Sequence, residues 1–253
     1  MKPKYFVIVC LLLAAGRATH AQNAAQSTDP NKPAEKKLQP DPPGMTRLMP
    51  DVDAWVDTKH KRVVIDGTVC LRQGQLEMFA CIERTKEHES IVAVPVRAFT
   101  VHAALLLVGA QPGSPVQFQP AYKPPTGTEI EITVIWKDEK GVEQRKRAQE
   151  LIKNVKTGKA MDLSWVFAGS RFYEDPTTGK KHYTAEGGDF ICVSNFPSAM
   201  LDVPAKSTMS GSELLFEAFT ERIPKLGTKV RLVLEPKLPK ASVKQPPATS
   251  DKT

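Results

Sequence analysis

The sequence predicts an α+β fold, in which a mostly antiparallel β-sheet carries one main helix packed on it within a single domain. Three observations predict it. Several segments alternate apolar and polar residues with a period of two, the pattern of half-buried strands, and TEIEITVIWK at 128–137 is the clearest of them. Turn signals separate these segments. Only the stretch 96–108 has extended helical spacing, and it ends at Gly109.

The first predicted elements are two strands, 62–71 and 75–82, joined as a hairpin through the turn signal Arg72-Gln73-Gly74. Residues 90–94 continue as a third strand. Pro95 then opens the helix, whose apolar residues repeat every three or four positions and are expected to pack on the sheet. These residues are Ala98, Val101, Ala104, Leu105 and Val108.

Seven further strands are predicted after the helix. The strand at 128–137 turns at 138–141 and pairs with 142–147. Turns at 176–179 and at Gly187-Gly188 separate the next three strands. The remaining predicted strands are 163–172, 181–185, 190–194, 214–220 and 229–234, and the last two are expected to pair with each other.

The ends of the chain predict export and flexible flanks. Lys2 and Lys4 precede an apolar run at 6–15, and Thr19-His20-Ala21 has small residues where a signal peptidase cleaves. The run is shorter than the roughly 20 residues of a membrane-spanning helix. We therefore expect a signal peptide at 1–21, a disordered proline-rich spacer at 22–45, a globular domain at 46–236 and a disordered basic tail at 237–253. The mature chain is expected to be periplasmic or secreted, without a membrane span.

The basic charge of the chain is concentrated outside the predicted domain. The formal net charge is +7, and much of it lies in the signal peptide and the tail, so the domain is close to neutral. A nucleic-acid-binding surface needs lysines and arginines clustered on the folded domain. The densest basic run, Arg145-Lys146-Arg147, is typical of a solvated hairpin, and no nucleic-acid partner is expected.

The stretch 70–94 gathers most of the residues with distinctive chemistry. In the predicted hairpin, Glu77 and Cys81 point to one face, and the short connection 83–87 returns His88 and Glu89 towards them. The same register places Cys70 and Cys81 on one face but about 13 Å apart at strand rise, beyond the range of a disulfide. A bulge or a longer loop could bring the two together, so a disulfide, common in exported proteins, stays open.

Two functional interpretations follow for this stretch. Cys81, His88, Glu77 and Glu89 could form a metal site, for which zinc or copper suits a thiolate and an imidazole. Alternatively, Cys81 and His88 could act as a nucleophile and its base. Neither has diagnostic spacing. The structural alternative is that Cys70 and Cys81 are small buried residues, His88 links strands, and Glu89 pairs with Lys86.

Several runs resemble one known family. They are GQLEMFACIERTKEHESIVAV, VHAALLLVGAQPGSPVQF, WVFAGSRF, GGDFICVSNFPSAMLDVP and IPKLGTKVRLVLEP, and in this order they are similar to the YdjY-type domain of exported bacterial proteins over about 55–236. The family has no established activity. The resemblance implies signature positions at Glu77, Cys81, His88, Glu89, Ser90, His102, Gly109, Gly113, Gly169, Ser170, Asn195 and Asp202.

Some of these positions have a structural explanation from local sequence. Gly109 suits a helix C-terminus, and Gly113 suits a turn. Asn195 and Asp202 are expected to satisfy loop backbone, and His102 is expected to be a core histidine. Gly169-Ser170-Arg171 could cradle an anion.

The sequence therefore supports two hypotheses of function. The first is an exported, noncatalytic binding or interaction domain for an unknown protein or cell-envelope partner, with a Cys/His/Glu metal site. The second is a thiol-dependent extracytoplasmic enzyme, a hydrolase or redox protein, that uses Cys81 and His88.

Overall fold

The structure, a computed structural model, describes residues 38–205 and 215–239. Those residues form fifteen strands and one α-helix, α1 (Ala98–Leu107), together with three short 3-10 turns at Glu87–Glu89, Ala148–Leu151 and Thr184–Gly187. The strands are β1 (Thr46–Arg47), β2 (Ala54–Asp57), β3 (Arg62–Val69), β4 (Met78–Ile82), β5 (Ser90–Val94), β6 (Glu129–Lys137), β7 (Glu143–Arg147), β8 (Ile152–Asn154), β9 (Trp165–Phe167), β10 (Phe172–Glu174), β11 (Lys181–Tyr183), β12 (Ile191–Cys192), β13 (Leu201–Asp202), β14 (Phe216–Ala218) and β15 (Lys229–Pro236).

Eight strands close into a barrel in the order β3-β15-β6-β9-β13-β12-β4-β5, and β5 pairs back to β3. The α+β prediction is therefore wrong. The protein is mostly β, its main sheet closes on itself, and α1 is its one short α-helix within the described residues. Period-two alternation identifies strands but carries no information about which distant strands pair, so closure was not predicted.

The long strand β15, near the C-terminal end of the described residues, pairs with two strands that come much earlier in the chain. One of its edges pairs with β3, from Lys229 opposite Thr68 to Leu234 opposite Val63. Its other edge pairs with β6. The predicted pairing of 214–220 with 229–234 is wrong, because β14 pairs with β8 in a separate two-stranded sheet.

The predicted hairpin between 62–71 and 75–82 is also wrong. Strand β4 pairs in parallel with β5 and antiparallel with β12, while β3 pairs with β5. The turn signal at 72–74 instead leads the chain along β14, where Arg72 donates to the carbonyl of Thr220 at 2.9 Å and Gly74 accepts from Ala218 at 2.9 Å. Cys81 therefore lies in β4 and Cys70 immediately after β3, on opposite sides of β5.

Other local predictions are confirmed. Strand β5 has the predicted bounds, and β6 and β7 form the predicted hairpin. The predicted packing face of α1 is buried at all five positions. The N-terminus of α1 is capped by a residue that is remote in the sequence. The Glu186 carboxylate accepts hydrogen bonds from the backbone N–H of Ala98 at 3.3 Å and of Phe99 at 3.1 Å.

The ends of the described region contact the domain. Asp41, in the predicted spacer, accepts a 2.8 Å hydrogen bond from the indole of Trp55. At the other end, the Lys237 backbone donates to the carbonyl of Glu129 at 2.8 Å. The predicted signal peptide, most of the spacer and most of the tail lie outside the described residues. Among the described helices, none has the length and apolar character to cross a membrane.

Candidate functional site

The site is built around the connection 83–89 between the parallel strands β4 and β5. This connection folds back so that Ser90 starts beside Met78. Lys86 anchors it, since its carbonyl accepts from the Ser90 hydroxyl at 2.7 Å and from the Glu89 backbone at 3.2 Å. The Thr85 hydroxyl donates to the carbonyl of Ile82 at 2.6 Å. These hydrogen bonds fix Lys86 and Glu89 in the connection between β4 and β5.

Gly188 brings a second segment against this connection. Its φ is +112°, and a Cβ at this position would lie 2.6 Å from Oγ1 of Thr85. Only glycine combines this left-handed backbone with so close an approach. The next residue, Asp189, is consequently placed beside Lys86.

Three carboxyl groups surround the ammonium group of Lys86. Its Nζ lies 3.0 Å from Oδ1 of Asp189, 3.4 Å from Oε1 of Glu89 and 4.0 Å from Oε2 of Glu77. We call Glu77, Glu89 and Asp189 the carboxylate cluster. Their side chains retain between 12% and 25% of their solvent exposure, so the cluster lies at the surface without being fully solvated.

The carboxylate cluster has more negative charge than Lys86 can neutralise. Burial raises the pKa of Glu77, and the neighbouring Glu89 carboxyl raises it further, by its charge and by a hydrogen bond between the two groups. On Lys86, hydrogen bonding and attraction to Asp189 outweigh burial, so the pKa of the ammonium group is also raised. Lys86 therefore stays charged, and Glu77 takes up a proton more readily than an ordinary glutamate.

His88 and Cys81 lie in different environments from the carboxylate cluster. The His88 side chain is 76% exposed, and its Nε2 lies 3.8 Å from Oε2 of Glu89. Cys81 is fully buried. Of the four predicted metal ligands, the structure thus brings Glu77 and Glu89 together with His88 at their edge, whereas Cys81 belongs to a second group.

The second group contains Cys70, Cys81 and Ser90. The Cys70 thiol donates to the carbonyl of Ser90 at 3.0 Å, and the Cys70 and Cys81 thiols influence each other's pKa. The predicted separation of about 13 Å assumed a hairpin between β3 and β4, which does not form because both strands pair with β5. Both cysteines are free thiols in the structure.

Cys70 and Cys81 are unequal acids. Interaction with the Cys70 thiol lowers the pKa of Cys81 to about 7, against the effect of burial, and the Ser90 side chain and the Lys86 backbone N–H act in the same direction. The pKa of Cys70 is raised by the same interaction and by burial. Cys81 is consequently the first of the two to ionise.

A third group of residues, around His102, connects α1 to the neighbouring strands. His102 Nδ1 lies 2.8 Å from the Tyr183 hydroxyl, which donates to the carbonyl of Gly169 at 3.0 Å. The His102 ring also packs edge-on against Phe167, with ring centroids 4.8 Å apart. Burial lowers the pKa of His102. These contacts agree with the interpretation of His102 as a core histidine.

The segment Gly169-Ser170-Arg171 holds a neighbouring loop. The Ser170 hydroxyl donates to the carbonyl of Ser198 at 2.7 Å and accepts from the Ala185 backbone at 3.1 Å. Nε of Arg171 donates to the carbonyl of Pro197 at 2.9 Å. Because these donors are directed at loop backbone, the geometry does not favour the predicted anion cradle.

Asn195 and Asp202 join the two ends of this loop, as the sequence predicted. The Asn195 amide donates to Oδ1 of Asp202 at 3.1 Å and to the carbonyl of Val203 at 2.8 Å. The Val203 backbone donates to the same Oδ1 at 2.8 Å. Burial nevertheless dominates and raises the pKa of Asp202 to about 7.

The comparisons with known proteins give one result. A family model described as YdjY domain matches residues 54–235, most of the chain. The chain belongs to the YdjY domain family. No curated protein and no solved structure matches it. The suspected resemblance is therefore confirmed, with nearly the predicted bounds.

Two features of this YdjY domain were missed by sequence reasoning. The first is Asp189, which completes the carboxylate cluster and whose only local signal is the Gly-Gly pair before it. The second is the placement of Cys70 and Cys81 on opposite sides of β5, which follows from the pairing of β5 with both β3 and β4. Among residues 38–205 and 215–239, no group of three or more His, Cys, Asp and Glu side chains is arranged to hold a metal ion.

Proposed function

We propose that this chain is an exported, noncatalytic binding domain, and that its carboxylate cluster contacts a cationic group of a protein or cell-envelope partner. The observation that carries the proposal is the charge imbalance at Lys86. One ammonium group faces three carboxyl groups, and two of these, Glu77 and Glu89, are close enough to share a hydrogen bond. An incoming cation would relieve this repulsion.

The surroundings of the cluster favour recognition over solvation. The ammonium group of Lys86 also lies 4.8 Å from the centroid of the Phe196 ring, so an aromatic surface borders the charges. Ser198 donates a hydrogen bond to Asp189 and fixes its orientation. A preorganised cluster loses little conformational entropy on binding, which increases its affinity for a matching cation.

The metal hypothesis is a special case of this proposal. Zinc or copper would require Glu77, Glu89 and His88 to rearrange, because the described residues hold no ligand group of three, and Cys81 is fully buried. The hydrolase alternative has less support. A general base must reach the thiol, whereas the His88 ring is largely exposed and faces Glu89.

Calorimetric titration tests the proposal with two probes, zinc and a lysine-rich peptide, at low ionic strength. We expect the peptide to bind with micromolar affinity, and the affinity to increase as pH rises through the pKa of Glu77, with protons released on binding. The double variant Glu77→Gln/Glu89→Gln should weaken binding by roughly tenfold or more, equivalent to about 1.4 kcal/mol. Glu174→Gln is the control, because that carboxylate is exposed at a separate hairpin.

The two probes distinguish a metal ion from a cationic group of a protein or cell-envelope partner. If zinc binds and His88→Ala abolishes its binding, the cation is a metal ion that uses the predicted histidine. Binding of the peptide alone favours a protein or cell-envelope partner. Equal loss in the Glu174→Gln control would show that only net charge matters, and no binding of either probe would refute the assignment of this cluster.

A further inference from the structure

An open pocket adjoins the loop 196–200, which also borders the carboxylate cluster. Its volume is about 520 Å³, within the range of pockets that bind small ligands. Apolar side chains line it, from Pro115, Val116, Phe118 and Pro197. Arg171 is the one charged side chain among the described residues of this lining. The pocket therefore suits a large apolar group that carries a negative charge.

Three consecutive residues connect this pocket to the carboxylate cluster. The ring centroid of Phe196 lies 4.8 Å from Nζ of Lys86, and the Ser198 hydroxyl donates to Asp189. Pro197, between Phe196 and Ser198, lines the pocket. Because the chain advances by at most about 3.6 Å per residue, the Cα atoms of Phe196 and Ser198 are no more than roughly 7 Å apart. The cluster and the pocket are therefore neighbouring parts of one surface.

Hydrogen bonds hold both walls of the pocket. On one wall, the backbone of Gln117 donates to the carbonyl of Lys123 at 3.0 Å and accepts from the Lys123 backbone at 2.7 Å. On the other wall, Nε of Arg171 donates to the carbonyl of Pro197 at 2.9 Å. This bond orients the planar guanidinium group, whose terminal nitrogens are the edge that binds a carboxylate. Unlike the anion cradle predicted at 169–171, such a contact needs the guanidinium group alone.

We propose that this pocket binds the C-terminal residue of a peptide, and that a lysine two residues earlier in the peptide reaches the carboxylate cluster. The C-terminal carboxylate pairs with Arg171, and the apolar side chain of the same residue packs on Phe118. The proposal rests on the proposed function, because the carboxylate cluster supplies the cation site.

Charge complementarity sets the direction of the bound peptide. Arg171 attracts the carboxylate and repels the lysine, whereas the carboxylate cluster does the opposite, so the reversed peptide is disfavoured. An extended peptide advances about 3.3–3.6 Å per residue. Two residues of peptide therefore cover the distance that Phe196 to Ser198 covers in the protein.

Calorimetric titration with three synthetic peptides tests this proposal. The first is acetyl-Lys-Ala-Phe with a free C-terminal carboxylate, the second is its C-terminal amide, and the third is acetyl-Ala-Ala-Phe with a free carboxylate. We expect the wild-type protein to bind the first peptide roughly tenfold more tightly than either of the others, because each of those lacks one of the two charges.

Variants assign each charge to its site. Arg171→Gln should lower the affinity for the first peptide to that for its amide, and leave the affinity for the amide unchanged. Glu77→Gln/Glu89→Gln should lower the affinity for the first peptide to that for the lysine-free peptide. Arg145→Gln is the control, because this exposed arginine lies in β7, outside the pocket. Circular dichroism would establish that the variants are folded, and the wild-type comparison of the three peptides decides the matter if Arg171→Gln does not fold.

Failure of this proposal can be distinguished from failure of the proposed function. Equal affinity for the first peptide and its amide, or equal effects of Arg171→Gln and Arg145→Gln, would show that Arg171 does not bind the carboxylate, and would overturn this proposal alone. The same conclusion follows if the first peptide does not bind and the lysine-rich peptide does. Equal affinity for the first and third peptides would show that the carboxylate cluster does not bind the lysine, and would overturn both.

Discussion

The buried carboxyl group of Asp202 is expected to make the protein less stable as pH rises from 4 to 8. Burial raises its pKa from 3.8 to about 7 in the folded state. A carboxyl group with a raised folded pKa contributes stability that is fully present below its unfolded pKa and is lost as pH rises through its folded pKa. Three pKa units at about 1.36 kcal/mol each amount to roughly 4 kcal/mol.

The variant Asp202→Asn removes this titration and keeps the shape of the side chain. Its amide oxygen can still accept from the Val203 backbone, which donates to Oδ1 in the wild-type protein. Guanidinium unfolding followed by tryptophan fluorescence would measure the free energy of unfolding at each pH, since Trp55 and Trp165 are fully buried. The wild-type free energy should fall by roughly 4 kcal/mol more than that of Asp202→Asn between pH 4 and pH 8.

A matched variant excludes a general charge effect. Asp162 is an exposed aspartate, so Asp162→Asn should leave the wild-type pH dependence unchanged. If Asp202→Asn and the wild-type protein gave parallel profiles, Asp202 would titrate near its ordinary pKa and the reasoning from burial would be refuted.

Two further predictions concern packing and backbone conformation. Leu105→Ala, in the buried face of α1, should lower the free energy of unfolding by about 2–5 kcal/mol. The control Leu107→Ala, at a position 61% exposed, should lower it by less than about 0.5 kcal/mol. Equal losses in the two variants would contradict the packing of α1. Gly127→Ala should lower the melting temperature strongly, because the φ of Gly127 is +140° and a Cβ there would lie 2.1 Å from the carbonyl oxygen of Phe167. An unchanged melting temperature would refute this close approach.

Local structure was largely predictable from the sequence, and long-range pairing was not. Strand β5, the β6–β7 hairpin and the buried face of α1 follow from periodicity and turn residues over a few positions. The barrel depends on β15 pairing with β3, more than 150 residues away in the chain. Such pairing is decided by the packing of the whole core.

The same distinction applies to the site. Glu77, Glu89 and His88 lie close together because one short connection positions the last two over β4. Asp189 joins them through a contact between segments about a hundred residues apart, which no local pattern encodes. The predicted register of Cys81 came from a hairpin that does not form, because β4 pairs in parallel with β5.

The seam between β3 and β5 has a kinetic consequence. Only two residue pairs, Thr68 with Ala93 and Val69 with Val92, join these strands, whereas β15 pairs with β3 over six. Hydrogen-bonded segments open locally with a free energy that depends on how much structure each opening breaks. A brief separation of this short seam would break these two residue pairs and leave the pairing of β15 with β3 intact. The barrel is therefore expected to open first between β3 and β5, and its fastest local opening is set by this seam.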